Sequence, residues 1–147
     1  MSTIITAALA ADVNHAERTI TGVVVYYGRP ADASNGRVQF EVGSLILPDD
    51  LSRIKLCLDH DHHSAIGYAT AAETADDHLT MMFHIPETTA GDEALASARA
   101  GIRDGLSVGA YPTRDGAQYI NGEDCYHVTE AHLREVSLVA VPAFDDA

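Results

Sequence analysis

From Thr19 to Val141 the chain is a succession of short β-type runs cut by turn chemistry, and one stretch alone is long enough for a substantial helix. Thr19–Tyr27 is β-branched and aromatic and stops at Gly28-Arg29-Pro30. Arg37–Val42 alternates polar and apolar residues, as a half-buried strand does. Ile54–His60 alternates again, with Ile54, Leu56 and Leu58 on one face and His60 continuing that inward face. Ile66–Glu73 and Leu79–Ile85 read as two strands joined around Asp76-Asp77. Leu106–Tyr111, Gln118–Ile120, Cys125–Thr129 and Leu133–Val141 complete the set, separated by turns such as Arg114-Asp115-Gly116 and Asn121-Gly122. The helix is predicted over Ala90–Arg103, capped from Thr88-Thr89, with Leu95, Ala98 and Ile102 at spacings of three and four. A shorter helical turn is predicted over Leu47–Leu51. Strands that do not alternate with helices argue against a doubly wound parallel sheet. The pattern predicts a mainly β chain with α (α+β): a small, mostly antiparallel β-barrel or sandwich flanked by one or two helices.

A chain of 147 residues, 46% hydrophobic, is the size of one domain with a real core. Residues 1–17 have no clear period and read as an N-terminal arm, loosely held or added as one strand; residues 18–147 form the domain. The charge balance is strongly acidic, with Lys+Arg 9 against Asp+Glu 22. Nucleic-acid modules carry a basic stripe instead, so the balance argues against nucleic acid and against anionic membrane surfaces. No apolar run approaches the ~20 residues of a membrane span. Ile4–Ala11 lacks the basic start of a secretion signal. Cys57 and Cys125 suit a reducing cytosol better than a disulfide framework.

Three stretches could carry chemistry. In Gly105-Leu106-Ser107-Val108-Gly109, a hydroxyl sits between glycines that leave the backbone bare for a substrate. The spacing matches a hydrolase nucleophile elbow, but here the order is helix then strand, the reverse of that elbow. Ser107 therefore reads either as a nucleophile or as a turn residue. In Asp59-His60-Asp61-His62-His63-Ser64, His60 admits three readings: a general base held by packing, a metal ligand beside His62, or part of a polar loop. In Leu133-Arg134-Glu135-Val136-Ser137-Leu138-Val139, the residues Leu133, Glu135, Ser137 and Val139 share one face. A carboxylate on an inward face must be paired or hydrogen-bonded, and a histidine is an obvious partner. The other reading of Glu135 is an edge residue facing water. His132 is a rival orienter, on the opposite face unless a bulge intervenes.

Taken together, His60-Asp61, Ile66-Gly67, Gly105-Leu106-Ser107-Val108-Gly109 and Leu133 through Ala143, with the opening Arg18-Thr19-Ile20-Thr21-Gly22, resemble the prohead maturation proteases of tailed phages. The resemblance covers roughly Arg18 to Ala143. That family is a group of serine peptidases related in fold to the herpesvirus capsid proteases, a small β-barrel flanked by helices. By that resemblance His60 is the base, Ser107 the nucleophile and Glu135 the acidic third member of a triad. The herpesvirus relatives use a second histidine as third member, which keeps His132 as an alternative. His62 and His63 fall outside the family pattern.

The resemblance implies an endopeptidase without a cofactor. It would act inside the assembling prohead in the host cytoplasm, trimming scaffold and major capsid protein and, in family members, itself. Dimerisation switches on the herpesvirus relatives, so a homodimer stays open; nucleic acid and membrane are not expected partners. Two rival readings stand beside it. One is a metal-dependent hydrolase built on His60, His62 and His63, with Asp59 or His84. The other is a non-catalytic capsid or scaffold module of the same fold.

Overall fold

A computed structural model of the chain describes residues 4–33 and 36–140. In chain order the strands are β1 (Ile4–Ala10), β2 (Asp12–Asn14), β3 (Thr19–Tyr26), β4 (Ala31–Ala33), β5 (Gly36–Phe40), β6 (Leu45–Ile46), β7 (Lys55–Leu58), β8 (Asp61–Thr74) and β9 (His78–His84), then helix α1 (Thr89–Arg99), then β10 (Gly105–Pro112), β11 (Ala117–Ile120), β12 (Cys125–Val128) and β13 (Ala131–Val139). The fold is mostly β with one α-helix, as the strand-rich pattern predicts. Val141, the end of the last predicted strand, and Pro142-Ala143 of the family-like segment lie outside the described residues.

The main sheet runs β1-β10-β13-β7-β8-β9-β3-β2, with β6 added beside β13. It curls into a half-barrel. Ala11 alone connects β1 to β2, although these strands stand at opposite ends of that order. A smaller sheet, β11-β12-β5-β4, accompanies it. The described pairings are antiparallel except β13 with β6 and β7, and β12 with β5. The residues of the predicted N-terminal arm that are described are paired: β1 with β10 and β2 with β3.

Period-two alternation explains the core. Ile20, Leu56, Leu79, Met81, Phe83, Leu106, Val108, Val136 and Leu138 are all essentially inaccessible and belong to one apolar cluster. Helix α1 presents Gly91, Ala94, Leu95 and Ala98 to it, and the Thr88 hydroxyl caps the helix by accepting from the Gly91 N–H at 2.9 Å. The helix ends at Arg99, four residues before the predicted end. Gly101 takes φ +77°, a conformation that an L side chain resists, and turns the chain out of the helix. Ile102, expected on the buried stripe, is consequently 66% exposed.

Two other predicted elements shift. The short helical turn is a 3-10 turn at Leu51–Arg53, capped by Asp50, whose Oδ1 accepts from the Ser52 N–H at 3.0 Å. Strand β7 ends at Leu58, so His60 does not extend its inward face. Asp59 and His60 both take left-handed backbone angles, φ +51° and +59°, and reverse the chain into β8. For non-glycine residues this costs on the order of 1 kcal/mol each, so contacts around the turn must hold it.

Candidate active site

The site forms where β10, β13 and the end of β7 lie side by side. Ser107 on β10 is directly opposite Ser137 on β13, and Gly109 is directly opposite Glu135. Residues opposite one another share a face, so Ser107, Gly109, Ser137 and Glu135 line one side of the strand pair. Leu106, Val108, Val136 and Leu138 take the other side and fill the core.

A break in the ladder creates this arrangement. Gly109 pairs with Glu135, but Ala110 pairs with Leu133, which leaves Arg134 as an extra residue. The bulge inverts the phase of β13. Leu133 enters the core, while Glu135 and Ser137 face the site, so the uninterrupted face expected from Leu133 to Val139 does not exist. His132 does not reach the imidazole of His60. It lies opposite Tyr111 and beside Ile46, and lines a separate cavity with Pro48, Arg53 and Arg134.

β7 runs parallel to β13, with Cys57 beside Ser137 and Leu58 beside Leu138. The Asp59 N–H extends this ladder by one bond, to the Leu138 carbonyl at 3.2 Å. The next amide, of His60, instead donates to the Ser137 hydroxyl at 2.9 Å. Outside the turn, the Asp59 carboxylate grips Arg103, which donates from Nε at 3.2 Å and from a terminal nitrogen at 2.6 Å. That pair ties the histidine turn to the segment entering β10.

The turn aims the imidazole along the strand pair. His60 Nε2 is 2.7 Å from Ser107 Oγ, and His60 Nδ1 is hydrogen-bonded to Glu135 Oε1. The other carboxylate oxygen, Oε2, accepts from the Ser137 hydroxyl at 3.0 Å. Glu135 and Ser107 are buried, whereas the His60 side chain keeps 18% of its surface in solvent. Both oxygens of the buried carboxylate are thus satisfied, which burial of that charge demands. With a carboxylate on Nδ1, the neutral imidazole carries its proton there and offers the Nε2 lone pair to the Ser107 hydroxyl. A base within hydrogen-bond reach of a hydroxyl, oriented by an acid on its far side, can deprotonate that hydroxyl as it attacks.

Gly109, one of the two glycines that frame Ser107, makes room for Glu135. A Cβ on Gly109 would stand 2.7 Å from Glu135 Oε1 and 2.9 Å from Glu135 Cγ. The bare backbone there accommodates the carboxylate. Neither this nor the contacts of Ser137 emerged from the sequence, although a serine two residues from the buried glutamate was the available signal. Cys57, buried beside them, has its thiol pushed up to about 11, chiefly by burial and then by the Glu135 and Asp61 charges.

The residues of the metal reading disperse. His62 and His63 are exposed, Asp59 is paired with Arg103, and the His84 ring packs against Tyr68 with centroids 5.6 Å apart. Asp61 accepts from the His63 N–H and the Ser64 hydroxyl, bonds that hold its carboxyl below the usual range. Among the described residues no three His, Cys, Asp or Glu side chains are grouped to hold a metal ion, and no helix is long and apolar enough to cross a membrane.

A sequence model of caudovirus prohead serine proteases matches residues 7–147. Among solved structures, the bacteriophage T4 capsid assembly protease is similar at a TM-score of 0.62, with 14% identity over 96% of this chain and 98% of that one. That likeness is one of fold. No curated protein matches the chain.

Proposed function

The chain belongs to the caudovirus prohead serine proteases, and we propose that it is an endopeptidase using Ser107 as nucleophile, His60 as general base and Glu135 as the group that orients the base. The observation that carries this reading is the unbroken line from Ser107 Oγ through both ring nitrogens of His60 to Glu135.

In the first half-reaction, Ser107 Oγ bonds to a peptide carbonyl carbon while its proton moves to His60 Nε2. Glu135 stabilises the imidazolium formed. The carbon–nitrogen bond then breaks, and the Nε2 proton goes to the departing amine, leaving an acyl group on Ser107. Water adds next, His60 takes its proton, and the ester bond to Oγ breaks with that proton returned to the serine. Without the base, a serine hydroxyl is almost wholly protonated near neutral pH and is a poor nucleophile.

The substrates on this reading are the scaffold and capsid proteins of an assembling prohead in the host cytoplasm. The half-barrel is then the counterpart of the small barrel of the herpesvirus capsid proteases. The test is co-expression with the phage's scaffold and capsid proteins, comparing the chain with its Ser107→Ala variant. Processing that depends on Ser107 is expected, with a loss on the order of 10⁶-fold in rate. Equal processing by the variant would overturn the assignment.

A further inference from the structure

We propose that Ser137 is a positioning residue, whose single hydroxyl holds both the main chain of His60 and the outer oxygen of Glu135 and thereby sets the angle at which the imidazole meets Ser107. The proposal rests on the reading of Ser107 as nucleophile. Ser137 is fully buried and lies directly across the ladder from Ser107. A serine hydroxyl has one proton to donate and lone pairs to accept with. Here the proton goes to Glu135 Oε2 at 3.0 Å, and a lone pair takes the His60 N–H at 2.9 Å. One oxygen thus ties the base to its orienting acid by a second route, through the backbone.

That second route matters because the His60 backbone is not relaxed. Two successive non-glycine residues, Asp59 and His60, hold left-handed angles, and such a pair reverts unless its surroundings over-determine it. Besides the two ring bonds of His60 and the Leu58–Asp61 pairing that closes the turn, its anchors are the Asp59 N–H on the Leu138 carbonyl, the solvent-facing Asp59–Arg103 pair and the buried bond to Ser137. Of these, the last alone acts on the main chain of His60. Buried serine hydroxyls commonly satisfy themselves on the backbone or on water. This one spends its donor and its acceptor on the two groups of the relay.

The experiment follows phosphonylation of Ser107 by a fluorophosphonate probe, which needs no knowledge of the natural substrate. Ser107 Oγ bonds to phosphorus, fluoride leaves, and His60 takes the hydroxyl proton. Rates are measured by intact mass from pH 5 to 9, with Ser107→Ala as blank. Ser137→Ala is expected to react at least about tenfold more slowly, since small misplacements of catalytic groups are costly in rate. Its acid limb is expected to move up by about half a pH unit or more. Removing the donor from Oε2 leaves the carboxylate charge freer to favour the imidazolium. Asp59, Asp61, His62, His63, Arg103 and Cys57, charged or titratable groups around the turn, are untouched by the substitution. A folded Ser137→Ala that reacts at the parent rate, or more slowly with an unmoved acid limb, overturns the proposal. Should that variant melt below the assay temperature, Ser137→Cys, of similar size but with a weak donor, is read in its place with the same two outcomes. If the parent chain shows no labelling at Ser107, it is the nucleophile reading that fails, a result distinct from either.

Discussion

Gly109 stands directly across the β10–β13 ladder from Glu135, and the carboxylate of Glu135 occupies the space in which a Cβ on residue 109 would stand. The relation is one of shape. A Cβ there would come within 2.7 Å of Oε1, 2.9 Å of Cγ and 3.1 Å of the carboxyl carbon. An ordinary surface glutamate would swing away at little cost. This one is tied to His60 through Oε1 and to Ser137 through Oε2, so moving it takes the base out of line.

Gly109→Ala is therefore expected to leave the fold nearly intact and to slow the reaction of Ser107 by on the order of 10²-fold, the scale of an ångström-sized misplacement in a catalytic group. Parallel melting curves and fluorophosphonate rates check this. A variant as active as the parent would show that Glu135 has room to retreat without loss.

Much of this arrangement was legible in the sequence, and what was not has a physical reason. Strand identity follows from alternation, but the residues alone left Ser107, His60 and Glu135 each with more than one reading, and it was the family resemblance that singled out the three before their contacts were known. The phase of β13 could not be read. An extra residue at Arg134 changes which side chains face the core, and a bulge leaves no mark on composition. The reversal at Asp59-His60 was hidden for the opposite reason, because Leu58-Asp59-His60 continues the alternation of β7 while the backbone has already turned left-handed. Ser137 and Gly109 depend on cross-strand register, which is a tertiary property.

Glu135→Gln tests the orienting acid. The amide keeps the shape, but it loses the charge that stabilises an imidazolium and can present an N–H to His60 in place of an acceptor. A loss on the order of 10⁴-fold is expected, the scale at which a wrong tautomer acts in other serine triads. The melting temperature should stay near that of the parent, since Ser137 can still donate to the amide oxygen while the amide N–H meets Nδ1 of the other imidazole tautomer. A loss of less than about tenfold in probe reactivity, against this scale, would remove Glu135 from the relay.

Arg103→Ala separates anchoring from stability. The pair with Asp59 is open to solvent, with side chains 32% and 52% exposed, so its removal should cost no more than about 1 kcal/mol of folding stability. The pair also braces the turn that carries His60. Reactivity of Ser107 is therefore expected to fall by about 3- to 10-fold, a larger effect than the change in stability suggests. High salt should reproduce part of that fall in the parent and leave the variant unchanged, because screening weakens an exposed pair. Rates of both proteins at low salt and at about 1 M salt decide the matter.

Cys57 supplies a pH signature independent of activity. Its thiol is raised from 9.0 to about 11 in the folded chain, first by burial and then by the Glu135 and Asp61 charges. The unfolded chain ionises near the ordinary value, so between about pH 9 and 11 it releases a proton that the folded chain retains. The free energy of the unfolded state falls relative to the folded one over that window. Stability present below pH 9 is thus lost as pH rises towards 11, by about 2–3 kcal/mol for a shift of this size. Other groups titrate in the same range, so the test is a difference: denaturant unfolding of the parent and of Cys57→Ala at intervals from pH 8 to 11. The variant starts less stable because it leaves a cavity, but its stability should fall more gently across the window. Parallel slopes in the two proteins would show that the thiol ionises as freely inside the sheet as in the unfolded chain.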